Sequence, residues 1–449
     1  MVETTQTSML LDKELAYDRK RHAAAKTDAY VFNQLIPYIG NKRKLLDLIW
    51  EAVLSTQPER GCCIVDIFAG AGVVSRFLKR QGFRVIANDW EPFTVPVNTC
   101  YIQCNETPVF SRLGGYDEAI KRLNSLPPIA DWVTDHLCPR DDRNYDVKID
   151  RMFYMRKNGM RIDAIRNQIQ QWRQNNLIDA EEEACLLAPL LYQASYTSNT
   201  SGVFKGFHKE WGGQTATALY RIASDLRLSP ALFFDNSLEN VVMCADAQDV
   251  AESLNGDNVH LVYLDPPYNQ HPYGSNYHVL NSISLWDKPP FPKTITRGTK
   301  SAIRLDWRTE RRSAYNYQDE ATRAYRKLLA SLKCRYILTS YSTEGVIPLP
   351  NMLRANIEGG NVKVFMRGYK RYRVSSQRFS KKPLNIEFVL VLDTQSLCKV
   401  SMDELQSSIE EKEASVLSRH PEYVSARQHQ LMLFEGRTVY GEERPTETD

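Results

Sequence analysis

The run Val259–Leu264 (VHLVYL) is apolar with no polar alternation, the pattern of a strand buried on both faces of a parallel sheet. A chain that buries such a strand is committed to an α/β architecture, because parallel neighbours need crossover connections, usually helical. The run ends in Asp265-Pro266-Pro267-Tyr268, which places that tetrapeptide at the carboxyl end of the strand, where open α/β sheets bind ligands. It offers a carboxylate, a backbone carbonyl in a turn stiffened by two prolines, and an aromatic face. Two acceptors and a stacking surface suit a planar ring that bears an exocyclic amine. Asp-Pro-Pro also opens ordinary loops, so the reading depends on the rest of the chain.

Upstream, the strand-like run Cys62–Ile67 (CCIVDI) carries Asp66 and leads into Phe68-Ala69-Gly70-Ala71-Gly72, followed by Val73–Arg80 with helical spacing. A glycine turn between strand and helix lets the backbone approach a ligand and aims helix amides at it. Two of the three glycines of a dinucleotide fingerprint are present, which disfavours NAD. The next strand, Phe83–Ala87, ends in Asn88-Asp89, about twenty residues past the turn, where an acid usually meets ribose hydroxyls. A unit of this kind without a phosphate signature suits a nucleoside-like cofactor such as S-adenosylmethionine. The plainer alternative is an ordinary Rossmann-like turn with a helix-capping acid.

A third segment, Ile36-Pro37-Tyr38-Ile39-Gly40-Asn41-Lys42, precedes an amphipathic helix marked by Leu45, Leu46, Leu48, Ile49 and Val53. Together these motifs, in this order, resemble the adenine-specific DNA methyltransferases of the Dam-like, alpha-order group: PYxGNK, FxGxG, target-recognition insert, DPPY. Asp246 in CADAQ, Tyr341–Gly345 after the strand Arg335–Ser340, and Tyr369–Phe379 before the strand Ile386–Leu392 extend the match over roughly 34–99 and 241–392. The resemblance implies a Rossmann-like S-adenosylmethionine-dependent methyltransferase sheet with a mostly helical inserted target-recognition domain. It implies catalytic roles for Asp265, Pro266, Pro267 and Tyr268. It implies a cofactor pocket formed by Tyr38, Gly40, Asn41, Lys42, Asp66, Phe68, Gly70, Gly72, Asp89, Asp246 and Asp265, with Asn41 and Glu344 less defined in role.

Composition agrees with a globular enzyme: 449 residues, 43% hydrophobic and 25% charged. No stretch reaches the length of a membrane span and the polar N-terminus lacks an apolar signal core, so a cytoplasmic location is expected. The nine cysteines are scattered, with no Cys/His pairing at zinc-site distance, and read as reduced core residues with no metal role. The organisation expected is an N-terminal arm over 1–33, a catalytic domain over 34–99 and 241–400, an inserted target-recognition region over 100–240, and a charged C-terminal tail over 401–449.

The net charge of +3 hides its distribution. Residues 361–382 contain eight Lys/Arg, four aromatics and no acid, and Lys293–Arg312 holds seven Lys/Arg against two acids. Such runs are usually solvated faces. Beside a base-binding motif they favour phosphate contacts, from Lys370, Arg371, Arg373 and Arg378. In the insert, Ser198–Gly213 is rich in glycine, small polar groups and aromatics, and suits a loop laid in a groove with Lys205, His208 and Lys209 toward DNA. It could equally be a packed structural loop. The expected activity is site-specific methylation of adenine N6 on a flipped base in double-stranded DNA, solitary or paired with a cognate restriction endonuclease. An RNA adenine methyltransferase, a methyltransferase for another planar amine or amide, and a non-catalytic DNA-binding module are the alternatives. Finally, Gln430-Leu431-Met432-Leu433-Phe434 matches the QLxLF pattern of peptides that bind the bacterial sliding clamp, although three apolar groups in a polar tail could instead dock on the protein itself.

Overall fold

The apolar runs become the strands of one seven-stranded sheet in the computed structural model, which describes residues 28–254, 259–270, 272–296, 303–304, 306, 310–370 and 384–418. In chain order the main elements are α1 (Leu46–Leu54), β1 (Cys63–Asp66), α2 (Val73–Arg80), β2 (Arg84–Asn88), α3 (Tyr116–Ser125), α4 (Trp132–Leu137), α5 (Arg156–Gln174) and α6 (Ala180–Tyr196). There follow β3 (Val241–Met243), α7 (Ala247–Ser253), β4 (Val259–Leu264), α8 (Tyr273–Leu285), α9 (Gln318–Ser331), β5 (Tyr336–Ser342), α10 (Leu349–Gly359), β6 (Asn361–Lys370), β7 (Leu384–Asp393) and α11 (Met402–Ser418). The strand order is β3-β2-β1-β4-β5-β7-β6. The first five are parallel, and β7 runs antiparallel to both β5 and β6.

Strand pleating sorts the apolar side chains to the two faces. Ile64, Val85, Leu261 and Tyr263 pack with α1 and α2, while Val65, Ile86, Val262 and Leu264 pack with α7, α9 and α10. The order reverses between β1 and β4, the switch point at which open sheets leave a crevice for ligands. Asp66 pairs in register with Tyr263, so the glycine turn after β1 and the tetrapeptide after β4 emerge side by side. That adjacency is the structural reason for a site here.

Three observations bear on the boundaries expected from the sequence. The insert's core is continuous with the catalytic part: residues of α5 and α6 share one cluster with Ile36, Phe93, Val97 and, from α8, Tyr277, Val279, Leu280 and Ile283. Helix α8 begins shortly after Tyr268 and buries itself against the insert. The segment expected as a charged tail starts with a docked helix, since Leu405, Ile409 and Leu417 of α11 are buried and Leu405 and Ile409 join the β6–β7 side of the core. Likewise Tyr30 and Val31, within the expected N-terminal arm, are buried, and Asp28 pairs with Arg80. All nine cysteines are free thiols.

Candidate active site

The turn after β1 requires its glycines. Gly70 and Gly72 have φ of +52° and +80°, in the left-handed region that a Cβ disfavours. Space forbids a side chain as well: a Cβ on Gly70 would lie 2.6 Å from Tyr38 Cε1, and one on Gly72 would lie 2.4 Å from Asn98 Oδ1. Asp89 at the end of β2 closes the turn by accepting the Gly70 amide at 2.8 Å and the Glu91 amide at 2.9 Å. Asn88, fully enclosed, donates to the Ile67 carbonyl at 3.0 Å and accepts from the Ala245 amide at 3.0 Å, locking the ends of β1 and β3 to that of β2.

The tetrapeptide meets the Pro37–Lys42 segment. Lys42 Nζ stands 2.8 Å from Asp265 Oδ1 and 4.9 Å from the centre of the Tyr268 ring. Gly40, at φ +81°, passes so close that a Cβ there would be 3.0 Å from Tyr268 Oη. Helix α8 clamps the same segment from the other side. Tyr38 stacks on Tyr277 with centroids 4.9 Å apart and planes 7° apart; Tyr277 Oη accepts the Ile39 amide at 2.7 Å, and Tyr273 Oη donates to the Ile39 carbonyl at 3.1 Å. Helix α8 departs from helical geometry at Tyr277, where φ is −121°. Behind the tetrapeptide, Tyr341 of β5 meets Tyr268 edge-on at 6.2 Å.

These groups enclose a cleft of about 900 Å³ including its open mouth. It is rich in buried acid. Burial pushes Asp66 up to about 7, although the Ser75 hydroxyl, donating at 2.7 Å, opposes the shift. Burial pushes Asp89 up to about 6 and Glu91 up to about 7, the latter opposed by the Asn281 amide. Asp265 is also raised by burial, with the Lys42 ammonium holding the rise back. Burial would lower Lys42, but the Asp265 carboxylate outweighs it and keeps the ammonium charged. Among the described residues, Asp66 Oδ1 is buried with no hydrogen-bond partner that meets standard geometry. An acid-lined cleft with an unanswered carboxylate oxygen and a glycine cradle fits a cationic nucleoside: hydroxyls and an ammonium would satisfy what the protein leaves open.

The family model for D12 class N6 adenine-specific DNA methyltransferases matches residues 38–337, which span both halves of this cleft. The chain belongs to that family. The type II methyltransferase M.NlaIII of Neisseria lactamica is 30% identical over 363 residues, covering 79% of this chain and 98% of that protein. Modification methylase StsI of Streptococcus sanguinis is 29% identical, covering 79% and 51%, and type II methyltransferase M.FokI of Planomicrobium okeanokoites is 29% identical, covering 75% and 49%. The chain thus spans nearly all of the first and about half the length of the other two. It is a DNA adenine methyltransferase, and S-adenosylmethionine is its methyl donor.

In the methyltransferase, Tyr38, Gly40, Asn41, Lys42, Asp66, Phe68, Gly70, Asp89, Asp265, Pro267 and Tyr268 all line the one cleft. Gly72 sits behind it as the N-cap of α2, and Pro266 is buried. Asp246 lines an adjoining recess that shares Phe68, Trp90 and Ser313 with the cleft, and it caps α7 by accepting the Gln248 amide at 2.8 Å. Glu344 is exposed. Sequence reading missed Trp90, Glu91, Tyr273, Arg311 and Asn316 as lining residues. Trp90 and Glu91 follow Asp89 directly and could have been found from the length of the loop after β2; Arg311 belongs to the basic stretch Lys293–Arg312, read only as a phosphate-contact run, and Asn316 follows it with no local signal.

Of the DNA candidates, His208 and Lys209 line a groove beside Pro37, and Lys205 is exposed next to it in sequence. Lys370 ends β6, while Arg371, Arg373, Arg378 and the segment Gln430–Phe434 lie outside the described residues. Part of the second basic stretch is structural: Arg304 pairs with Asp287 and Asp306, and Arg312 with Glu320. Among the described residues no cluster of three or more His, Cys, Asp or Glu is arranged to hold a metal, and no helix is long and apolar enough to cross a membrane.

Proposed function

We infer that this methyltransferase acts site-specifically on adenine N6 of double-stranded DNA with the target base turned out of the helix. The carrying observation is that Asp265, Pro267 and Tyr268 face the same cleft as the glycine turn. The adenine amine is a weak nucleophile because its lone pair is delocalised into the ring. Asp265 and the Pro266 carbonyl accept its two hydrogens, favour rehybridisation at nitrogen, and stabilise the positive charge that develops there. Lys42 restrains the rise that burial imposes on Asp265 and so favours the ionised form this requires. Unpairing and unstacking the base costs a few kcal/mol. Tyr268 offsets part of that by stacking on the ring, worth about 1–3 kcal/mol. Asp66, Asp89 and Asp246 hold S-adenosylmethionine with Phe68 and the backbone at Gly70, and the bound cofactor supplies an electrophilic methyl group. In-line transfer needs no protein nucleophile, in keeping with cysteines that line no part of the cleft.

Lys205, His208 and Lys209 with Lys370, Arg371, Arg373 and Arg378 would contact the duplex. The names of the relatives, type II methyltransferases and modification methylases, support a role beside a cognate restriction endonuclease; the site of action proposed with it is the cytoplasm. The Gln430–Phe434 motif would tether the enzyme to the sliding clamp and raise its concentration on new DNA. A peptide spanning Ser425–Arg437 should then bind purified clamp with affinity on the order of micromolar, abolished by L433A/F434A. The main reading is tested with labelled S-adenosylmethionine and duplex DNA, RNA or protein. Label at adenine N6 of duplex DNA is expected. Label confined to RNA would replace the substrate, and cofactor binding without transfer would leave a binding module.

A further inference from the structure

We propose that the groove on the insert beside Pro37 is where the enzyme reads bases, with Gln214 and Glu210 as specificity-determining residues and Thr217 beside them. This rests on the DNA methyltransferase reading above. The groove is a second concavity, about 1840 Å³ including its open mouth, distinct from the catalytic cleft and adjoining it through the Pro37–Tyr38 segment: Pro37 lines the groove and Tyr38 the cleft. A Cβ on Gly202 would lie 3.4 Å from Pro37 Cβ, so the groove's loop runs directly against the cofactor-side motif.

Three features mark the groove as built for a ligand. The first is the way its loop is held. Residues 198–218 contain no regular helix or strand, yet the backbone is pinned from beneath. Asn199, fully enclosed, donates to the His208 carbonyl at 2.9 Å and accepts the Gly212 amide at 3.1 Å. The Arg221 guanidinium donates to the carbonyls of Ser198 at 2.8 Å and Thr200 at 3.0 Å. Buried polar groups spent on immobilising a surface loop preorganise whatever the loop displays.

The second feature is the chemistry displayed. A groove that held phosphates alone would be basic throughout. This one sets Lys209 beside Glu210, Gln214, Thr215 and Thr217, all of them exposed. A carboxylate repels phosphate but accepts from cytosine N4, and a glutamine carboxamide pairs with adenine N6 and N7 in two parallel bonds. Mixed donors and acceptors are the signature of base-edge readout. Among the described residues, Gln214 makes no hydrogen bond through its side chain, so its amide remains available.

The third is a mechanical link from this loop to the reaction centre. The Phe204 amide donates to the Asn276 carbonyl at 2.6 Å, and the Phe204 carbonyl meets His278 Nε2 at 2.9 Å. Asn276 and His278 flank Tyr277, the residue that stacks on Tyr38 and receives the Ile39 amide. The reading loop is therefore fixed relative to Asp265 and Tyr268 rather than swinging free of them.

The test uses the full-length enzyme with modified-base sequencing of plasmid DNA that presents every short sequence. Wild type should methylate one defined sequence. Q214A and E210A should each relax or shift the preference at one base-pair position, the ratio of correct to altered sites falling roughly 5- to 150-fold, the range that a bidentate pairing with a base edge supplies. K209A should weaken all sites alike and flatten the salt dependence. S-adenosylmethionine affinity, read by calorimetry, should be unchanged in all three. Unaltered sequence preference in both Q214A and E210A would overturn the proposal while leaving the enzyme a DNA methyltransferase. Failure of the wild type to methylate any DNA would instead overturn the reading on which it rests.

Discussion

In the proposed mechanism Asp265 answers to two partners: it accepts from the substrate amine while paired with Lys42 in a contact of 2.8 Å. Asp265→Ala should therefore do two things. Turnover should fall by on the order of 10²-fold or more through loss of a transition-state acceptor. The melting temperature should also drop, because Lys42 is left buried without its carboxylate. Wild-type turnover in a folded D265A variant would remove the carboxylate from the mechanism. Lys42→Met isolates the other half of the pair. Burial raises Asp265 and Lys42 restrains that rise, so its loss raises the carboxyl further. The acid limb of the single-turnover rate profile should then move to higher pH; a limb that stays in place would mean that Lys42 does not tune Asp265. A third residue-scale expectation concerns Asp66, raised by burial to about 7 against an ordinary 3.8. The folded state binds this proton more tightly than the unfolded one, so stability falls as pH rises between those values and the full penalty is present above about 7. Asp66→Asn should raise the melting temperature of the ligand-free protein at about pH 8, with the gain shrinking toward about pH 5, while weakening cofactor binding. Equal gains at both pH values would contradict the assigned shift.

Helix α8 is the element on which the site depends most. It leaves the tetrapeptide, departs from helical geometry at Tyr277, and holds the Pro37–Lys42 segment through Tyr273 and Tyr277 while its apolar side completes the insert's core. Tyr277→Phe keeps the stack on Tyr38 but leaves the Ile39 amide without its acceptor, a loss of about 1–3 kcal/mol for a buried donor. Isothermal titration should show weaker S-adenosylmethionine binding by roughly that amount, and unchanged affinity would deny α8 this role. The glycine turn and the tetrapeptide were legible beforehand because each is a local pattern: an apolar run for the strand, glycine where φ turns positive, proline where a loop must stiffen. Helix α8 was not. Its sequence YGSNYHVLNSISL has weak polar–apolar separation, since it is buried almost all round, and its role depends on a stack with a tyrosine from another part of the chain.

At the scale of the molecule, the parallel strands β1 and β4 put the glycine turn and the tetrapeptide at one end of the sheet, and the proposed phosphate contacts of Lys370, Arg371 and Arg373 can be tested as a set. Neutralising Lys370, Arg371 and Arg373 should weaken binding to all sequences alike. It should also flatten the dependence of log K on log salt by roughly 0.9 for each phosphate that no longer meets a cation. Filter binding across a salt series checks this. Altered sequence preference with an unchanged salt slope would place these side chains at base edges instead.

The sequence alone determined the class of sheet, the order of its motifs and about half of the lining of the cleft, because periodicity, glycine placement and proline turns act over a few neighbouring residues. Tertiary structure alone decided what those residues do to one another. The pairing of Lys42 with Asp265, the closure of the Gly70 turn by Asp89, the fusion of the insert's core with α8 and the docking of α11 on the β6–β7 side all join segments distant in the chain. Such contacts follow from which strands become neighbours and which apolar faces cover them, and local propensity carries no information about either.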